Sequence, residues 1–239
     1  MTAHWITPEW PAPEGVRALS TLRTGGHGQG VYASFNLGAH VGDEPANVME
    51  NRRRLRELLP SEPVWLTQVH GTSVVHADAP GELIGDASVS LRAGVVCTVM
   101  TADCLPILLC DRSASRVAAI HAGWRGLADG VVEAAIEALD GQELMAWLGP
   151  AIGPEAFEVG DEVRQAFIRR LERCESAFRP STDDRWMADL YTLARLELEK
   201  LGVEAVYGGE YCTFSDPERF FSYRRDGQTG RMATLIWRE

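Results

Sequence analysis

Two short stretches hold residue types that do chemistry: Thr101-Ala102-Asp103-Cys104-Leu105-Pro106 and Ile120-His121-Ala122-Gly123-Trp124-Arg125-Gly126. Cys104 stands at the mouth of an apolar run, 105–110, and His121 ends another, 117–120. The polar residues 111–116 between them read as a tight turn. In an antiparallel hairpin, opposed residues share a constant index sum, which is 227 for a turn centred on Arg112 to Ser115. Cys104 and His121 sum to 225, so they lie at most one diagonal apart on one face. A thiol and an imidazole side by side at an open strand end make a nucleophile pair or half a metal site.

His70 is the third such residue, ending the apolar run 64–69 just before Gly71. The separations of 34 residues (His70 to Cys104) and 17 (Cys104 to His121) exclude zinc-finger spacing, in which ligands come in close pairs. They fit a catalytic site assembled from separate strands, with three protein ligands and a fourth position open. Zinc there would hold Cys104 as thiolate and bring a bound water to a pKa of about 7. Spacing alone leaves three readings open: a metal site, a metal-free Cys104/His121 nucleophile pair, and purely structural residues.

Other candidates surround these. The segment 123–126 lies between strand and helix, where free N–H groups suit an anion and Arg125 would add a bidentate donor; an ordinary turn with a solvated arginine competes with that reading. Asp103 and Asp86 could orient a histidine or move protons, or simply cap local turns. The run Phe220-Phe221-Ser222-Tyr223-Arg224-Arg225-Asp226-Gly227 could stack a purine and neutralise a phosphate, or be a core strand entering a hairpin turn. Asn36, Asn51 and Arg52 stand at structural boundaries and are unremarkable by pattern alone.

Positioning these residues requires a frame. Strands are expected over 16–22, 64–69, 73–77, 94–100, the 105–110/117–121 hairpin, 144–148, 203–207, 220–223 and 232–237. Helices are expected from Glu44-Pro45 to about Leu59, over 126–139, over 160–171, and over 190–201 ending at Gly202; 173–185 reads as an irregular surface loop. Interspersed strands and helices with several hairpins predict an α+β fold with mixed sheets, not a doubly wound parallel sheet. With no linker visible, residues 1–239 are treated as one domain.

The chain's 239 residues, 45% hydrophobic and 24% charged, describe an ordinary globular protein. No signal-peptide pattern or membrane-length apolar run occurs, so a cytoplasmic protein without a membrane partner is expected. The net charge of −11 disfavours nucleic acid as a partner. Five cysteines with no C-x-x-C pair argue against a disulfide framework.

These motifs resemble one family, the YfiH-type proteins, also called laccase-domain or polyphenol oxidase proteins and classed as purine nucleoside phosphorylases. The resemblance spans nearly the whole chain. It includes Ser34-Phe35-Asn36-Leu37-Gly38, His40-Val41-Gly42-Asp43, Glu50-Asn51-Arg52, Gln68-Val69-His70-Gly71, the Cys104 and His121 stretches, Leu148-Gly149-Pro150-Ala151-Ile152-Gly153 and Phe220 to Arg225. It implies His70, Cys104 and His121 as metal ligands. It also implies a compact fold with mixed sheets packed between outer helices, similar to the cytotoxic necrotizing factor catalytic domain. The implied activities are zinc-dependent phosphorolysis of adenosine, inosine, guanosine and methylthioadenosine, and deamination of adenosine. Family links to copper-dependent polyphenol oxidation and to editing of peptidoglycan precursors accompany these. The glycine-rich loop departs from the pattern, with His27-Gly28 where relatives often carry Val-Ser.

Catalysis on this reading would use His70, Cys104 and His121, with Asp103 or Asp86 moving protons. Asn36, Asn51, Arg52, Arg125 and Arg225 would contact purine nucleoside and phosphate. A multicopper centre demands more imidazoles than the six histidines present, though a single copper with Met100 as axial ligand survives. The alternatives are a cysteine hydrolase or amidase using Cys104 and His121, and a non-enzymatic metal-dependent binding protein presenting Trp5 and Trp10. A monomer or weak homo-oligomer is expected.

Overall fold

Apolar runs of strand length build three sheets, seen in a computed structural model that describes residues 5–79 and 81–239. In chain order the elements are β1 (Trp5–Ile6), β2 (Val16–Thr21), α1 (Pro45–Arg56), β3 (Val74–His76), β4 (Ala87–Ser90), β5 (Cys97–Thr101), β6 (Leu105–Asp111) and β7 (Val117–Ala122). Then follow α2 (Trp124–Asp129), α3 (Val131–Leu139), β8 (Leu144–Leu148), β9 (Glu158–Val159), α4 (Asp161–Arg170), β10 (Phe178–Pro180) and β11 (Trp186–Ala188). The chain closes with α5 (Leu190–Lys200), β12 (Ala205–Gly208), the single turn α6 (Tyr223–Asp226) and β13 (Met232–Arg238).

The central sheet has strand order β12-β8-β6-β7-β4-β3. Its two outer pairs are parallel and its inner pairs antiparallel. Strands β6 and β7 are buried from end to end, which is why they read as continuous apolar runs. Their residues alternate between two cores. Leu105, Ile107, Leu109, Ala118 and Ile120 face the layer that holds α2 to α5. Leu108, Cys110, Val117 and Ala119 face a four-stranded antiparallel sheet of order β1-β2-β13-β5. The far side of that second sheet is covered by α1 through Leu55, with Leu59 beyond it. A small antiparallel sheet, β10-β11-β9, borders the helical layer. The result is one α+β domain, as the pattern predicts, with one mixed and two antiparallel sheets between outer helices, as the resemblance implies.

The hairpin register matches the predicted index sum: Pro106 opposes His121 and Leu105 opposes Ala122. Four local expectations are corrected. Residues 64–69 form no strand; their ladder contacts among the described residues are isolated bridges from Val64 to Cys97 and Thr67 to Ile84. The helix over 126–139 is broken at Gly130, whose φ of 102° lies in the left-handed region, giving α2 and α3. Residues 172–177 form a 3-10 turn and 178–188 a hairpin, not an irregular loop. Phe220 and Phe221 are fully buried but lie outside any strand, and Ser222 caps α6 by accepting the Arg225 N–H at 3.2 Å.

Candidate metal centre

His121 is the next-to-last residue of β7 and its side chain is 3% exposed. Its ring Nδ1 donates to Asp86 Oδ1 at 2.7 Å, and its backbone N–H donates to the Asp86 carbonyl at 2.6 Å. A carboxylate only accepts, so this bond fixes a proton on Nδ1 and leaves Nε2 as the ring atom that would bind a metal once it gives up its own proton. Asp86 sits just before β4, a strand missing from the pattern reading, and is fully buried.

The same carboxylate builds the second ligand. Its oxygens accept the backbone N–H groups of Val69 (3.1 Å), His70 (2.9 Å) and Gly71 (2.8 Å). These bonds hold His70 at φ 60°, a left-handed conformation that costs a non-glycine residue free energy. Burial works to raise the Asp86 pKa, but the His121 bond and the Gly71 and Val69 N–H groups outweigh it and keep the carboxyl below its usual range. Without a ladder, the His70 segment is anchored by Gln68. Its amide accepts the Met100 N–H and donates to the Met100 carbonyl, both at 2.8 Å, replacing the hydrogen bonds a strand would make to β5.

Cys104 completes the group from the loop entering β6. Its Sγ is 3.8 Å from His70 Nε2, and the ligand atoms of His70, Cys104 and His121 all lie within 4.8 Å of one another. Tetrahedral zinc with Zn–S of about 2.3 Å and Zn–N of about 2.05 Å puts sulfur and nitrogen about 3.6 Å apart, so the donor set fits such an ion. Gly123 makes the approach feasible: a Cβ there would fall 2.9 Å from His70 Cδ2 and 3.2 Å from Cys104 Sγ. Burial alone would raise the Cys104 pKa, but the His121 charge and the bonds from His121 and His70 push it down to about 6.

The group opens on a cavity of about 300 Å³. Met100, Ile152 and Phe157 give it an apolar wall; His40, Gln68, Tyr223, Arg224 and Arg231 line it too. Asp103 also lines it, at φ 100°, with both oxygens bound: Oδ1 accepts the Thr213 hydroxyl at 2.6 Å and Oδ2 the Arg224 N–H at 2.7 Å.

The expected substrate contacts lie elsewhere. Asn36 and Asn51 are fully buried. Asn36 bonds Gly38, Asp43 and Arg231, while Asn51 bonds Ser34, Asn36 and His27. Arg52 donates Nε and Nη2 to the Leu37 carbonyl and stacks on Trp65 at 4.0 Å. Arg225 donates to the carbonyls of Thr213, Phe214 and Phe220. Arg125 is exposed and stacked on Trp124 at 4.3 Å. None of these five lines the cavity. Of the residues that do, Tyr223 and Arg224 belong to the aromatic-then-basic run 220–227, while His40, Gln68 and Arg231 were not singled out by spacing. The available signal for Arg231 was a lone arginine opening an apolar strand.

A buried carboxylate orienting one histidine of a His/Cys/His group beside a cavity defines a candidate catalytic metal centre. The chain belongs to the family described as multi-copper polyphenol oxidoreductase laccase, which matches residues 17–239. It is 59% identical over 236 residues to a Pseudomonas aeruginosa protein named purine nucleoside phosphorylase PA4543, covering 98% of each chain. It is 51% identical to purine nucleoside phosphorylase YfiH of Escherichia coli, over 97% of this chain and 98% of that one. The crystal structure of Neisseria meningitidis protein NMB0706 superposes with a TM-score of 0.96 at 49% identity, covering 99% of this chain and all of that one. YlmD of Geobacillus stearothermophilus gives a TM-score of 0.92 at 34% identity, over 100% and 97%.

Proposed function

We propose that the protein is a zinc-dependent purine nucleoside phosphorylase, with His70, Cys104 and His121 as metal ligands. The observation that carries this is the convergence of three donor groups, one with its Nδ1 held by the Asp86 carboxylate, on the wall of a cavity that also holds arginines. The names of the related proteins supply the substrate class.

Phosphorolysis breaks the bond between C1′ of the ribose and N9 of the base and joins C1′ to a phosphate oxygen. The cavity must therefore hold an anion and a flat heterocycle together and keep water from the reacting carbon. Met100, Ile152 and Phe157 offer the apolar surface a purine needs, and Tyr223, an exposed residue, also lines the cavity. The arginines supply charge for the anion. Asp86 keeps the proton on His121 Nδ1 throughout. When bound, the metal would add positive charge and Lewis acidity where negative charge develops. Asp103, with both oxygens engaged, holds the 213 and 224 segments against the site.

A second reading rests on the Cys104 thiol, pushed down to about 6: a metal-free cysteine nucleophile with His121 as base. The His2Cys donor set also suits copper. One assay separates them. Zinc-loaded protein is given adenosine with and without phosphate, before and after chelation. Free adenine that requires both zinc and phosphate supports the proposal, and inosine would mark deamination. No nucleoside turnover by the zinc-loaded protein overturns it, and activity that survives chelation but not Cys104→Ser favours the nucleophile.

A further inference from the structure

We propose that Arg231 and His40 form the anion subsite of this cavity and that inorganic phosphate is its occupant, an inference that rests on the phosphorolytic reading above. The sequence points instead to Arg125 and Arg52, and neither lines the cavity.

Most arginines of this acidic chain are matched. Arg170 binds Glu133 and Glu197, Arg53 binds Glu50, and Arg225 binds Asp226. Arg231, like Arg224 in the same lining, is not. Its Nη1 donates to the carbonyls of Thr229 (2.9 Å) and Gly230 (3.0 Å), and among the described residues no carboxylate forms an ion pair with it. Neutral carbonyls orient a guanidinium without cancelling its charge. The charges of Cys104 and Asp103 act on it without outweighing its burial, so this half-buried cation beside the cavity costs free energy that a bound anion would recover.

The guanidinium is also held in place, as a binding group must be. The backbone N–H of Arg231 donates to Asn36 Oδ1 at 2.9 Å, and its carbonyl accepts the Leu37 N–H at 3.1 Å. Its stem crosses Gly38 so closely that a Cβ there would fall 2.9 Å from Arg231 Cγ. Asn36 is thus a positioning residue for Arg231. His40 lies beyond the same turn and lines the cavity with it. Burial first, then the charges of Arg231 and Arg52, lower the His40 pKa, which places these basic groups within electrostatic reach of each other. Asp103, the acid that shares the lining, has both oxygens bound by Thr213 and Arg224.

The test is calorimetric titration of inorganic phosphate into zinc-loaded wild type, Arg231→Gln, Arg231→Lys and His40→Gln, alongside the phosphate and nucleoside KM of each. Losing a charge-assisted hydrogen bond corresponds to on the order of tenfold to a hundredfold. Arg231→Gln should raise phosphate Kd and phosphate KM by that factor and change nucleoside KM little. Arg231→Lys should fold and recover part of the loss, since it keeps charge without the fork, and His40→Gln should give a smaller loss. Unchanged phosphate binding in Arg231→Gln, or, should that variant not fold, in both other variants, overturns the subsite. So does a loss confined to nucleoside KM. Arg231-dependent phosphate binding by a protein that turns over no nucleoside would sustain the subsite while ending the phosphorylase reading.

Discussion

Asp86 and His121 are bonded at 2.7 Å in the interior, with side-chain exposures of 0% and 3%. The relationship matters because the same carboxylate also carries the backbone of the 69–71 segment: Oδ1, the His121 acceptor, takes the His70 N–H as well, and Oδ2 takes those of Val69 and Gly71. One side chain therefore sets the tautomer of one ligand and the backbone of another. Asp86→Ala should leave a buried imidazole and three N–H groups without their acceptor. The expected costs are about 3–5 kcal/mol of stability and roughly 10- to 100-fold in metal affinity. Denaturant unfolding and chelator competition would read the two effects; a variant as stable and as tightly metallated as wild type would contradict this role.

Metal uptake should depend on pH with a definite sign. In the metal-free protein burial opposes both charges, but the His121 charge and hydrogen bonds pull Cys104 down to about 6, while the Cys104 charge and the Asp86 bond push His121 up to about 9. Between those values the pair is thiolate and imidazolium. A metal requires the His121 Nε2 lone pair, so binding expels one proton from that ring. This pair should make affinity rise by about tenfold per pH unit across that window. Above about 9 its contribution levels off, and below about 6 it steepens as Cys104 also takes a proton. Competition titrations from pH 5.5 to 9.5, with proton release measured in two buffers, would check this. No proton release at neutral pH would rule out the thiolate–imidazolium pair.

Gly123 faces Cys104 across the end of the hairpin. Gly123→Ala would place a methyl 2.9 Å from His70 Cδ2 and 3.2 Å from Cys104 Sγ, inside ordinary contact. Its φ of −62° suits alanine, so the backbone is not the obstacle. Overpacking of this kind costs about 1–3 kcal/mol, and here it falls on the ligand geometry. Metal content should drop more than melting temperature. Full metallation of the variant would mean that the ligands have room the structure does not show.

The hairpin was legible because two apolar runs flank a short polar turn, which determines register without any tertiary knowledge. That brought Cys104 and His121 together by arithmetic. His70 was placed correctly at a segment end for a partly wrong reason: its segment is held by the Gln68 amide and Asp86, not by a ladder. Such side-chain substitutes leave no periodic signature. β4 was invisible because Ala87-Ser88-Val89-Ser90 carries serines on a fully buried strand. Phe220 and Phe221 looked like a strand because burial alone makes a sequence apolar. The cavity's own residues come from segments up to 191 positions apart (His40 to Arg231), so tertiary packing alone brings them together.

The central claim is that His70, Cys104 and His121 grip one metal ion. X-ray absorption at the zinc edge of the purified, zinc-loaded protein tests it most directly, paired with metal analysis of Cys104→Ala. The account predicts one zinc per chain with one sulfur at about 2.3 Å and nitrogen neighbours at about 2.0–2.1 Å, and loss of that zinc in the variant. A zinc shell without sulfur, or a variant that binds zinc as wild type does, would contradict it.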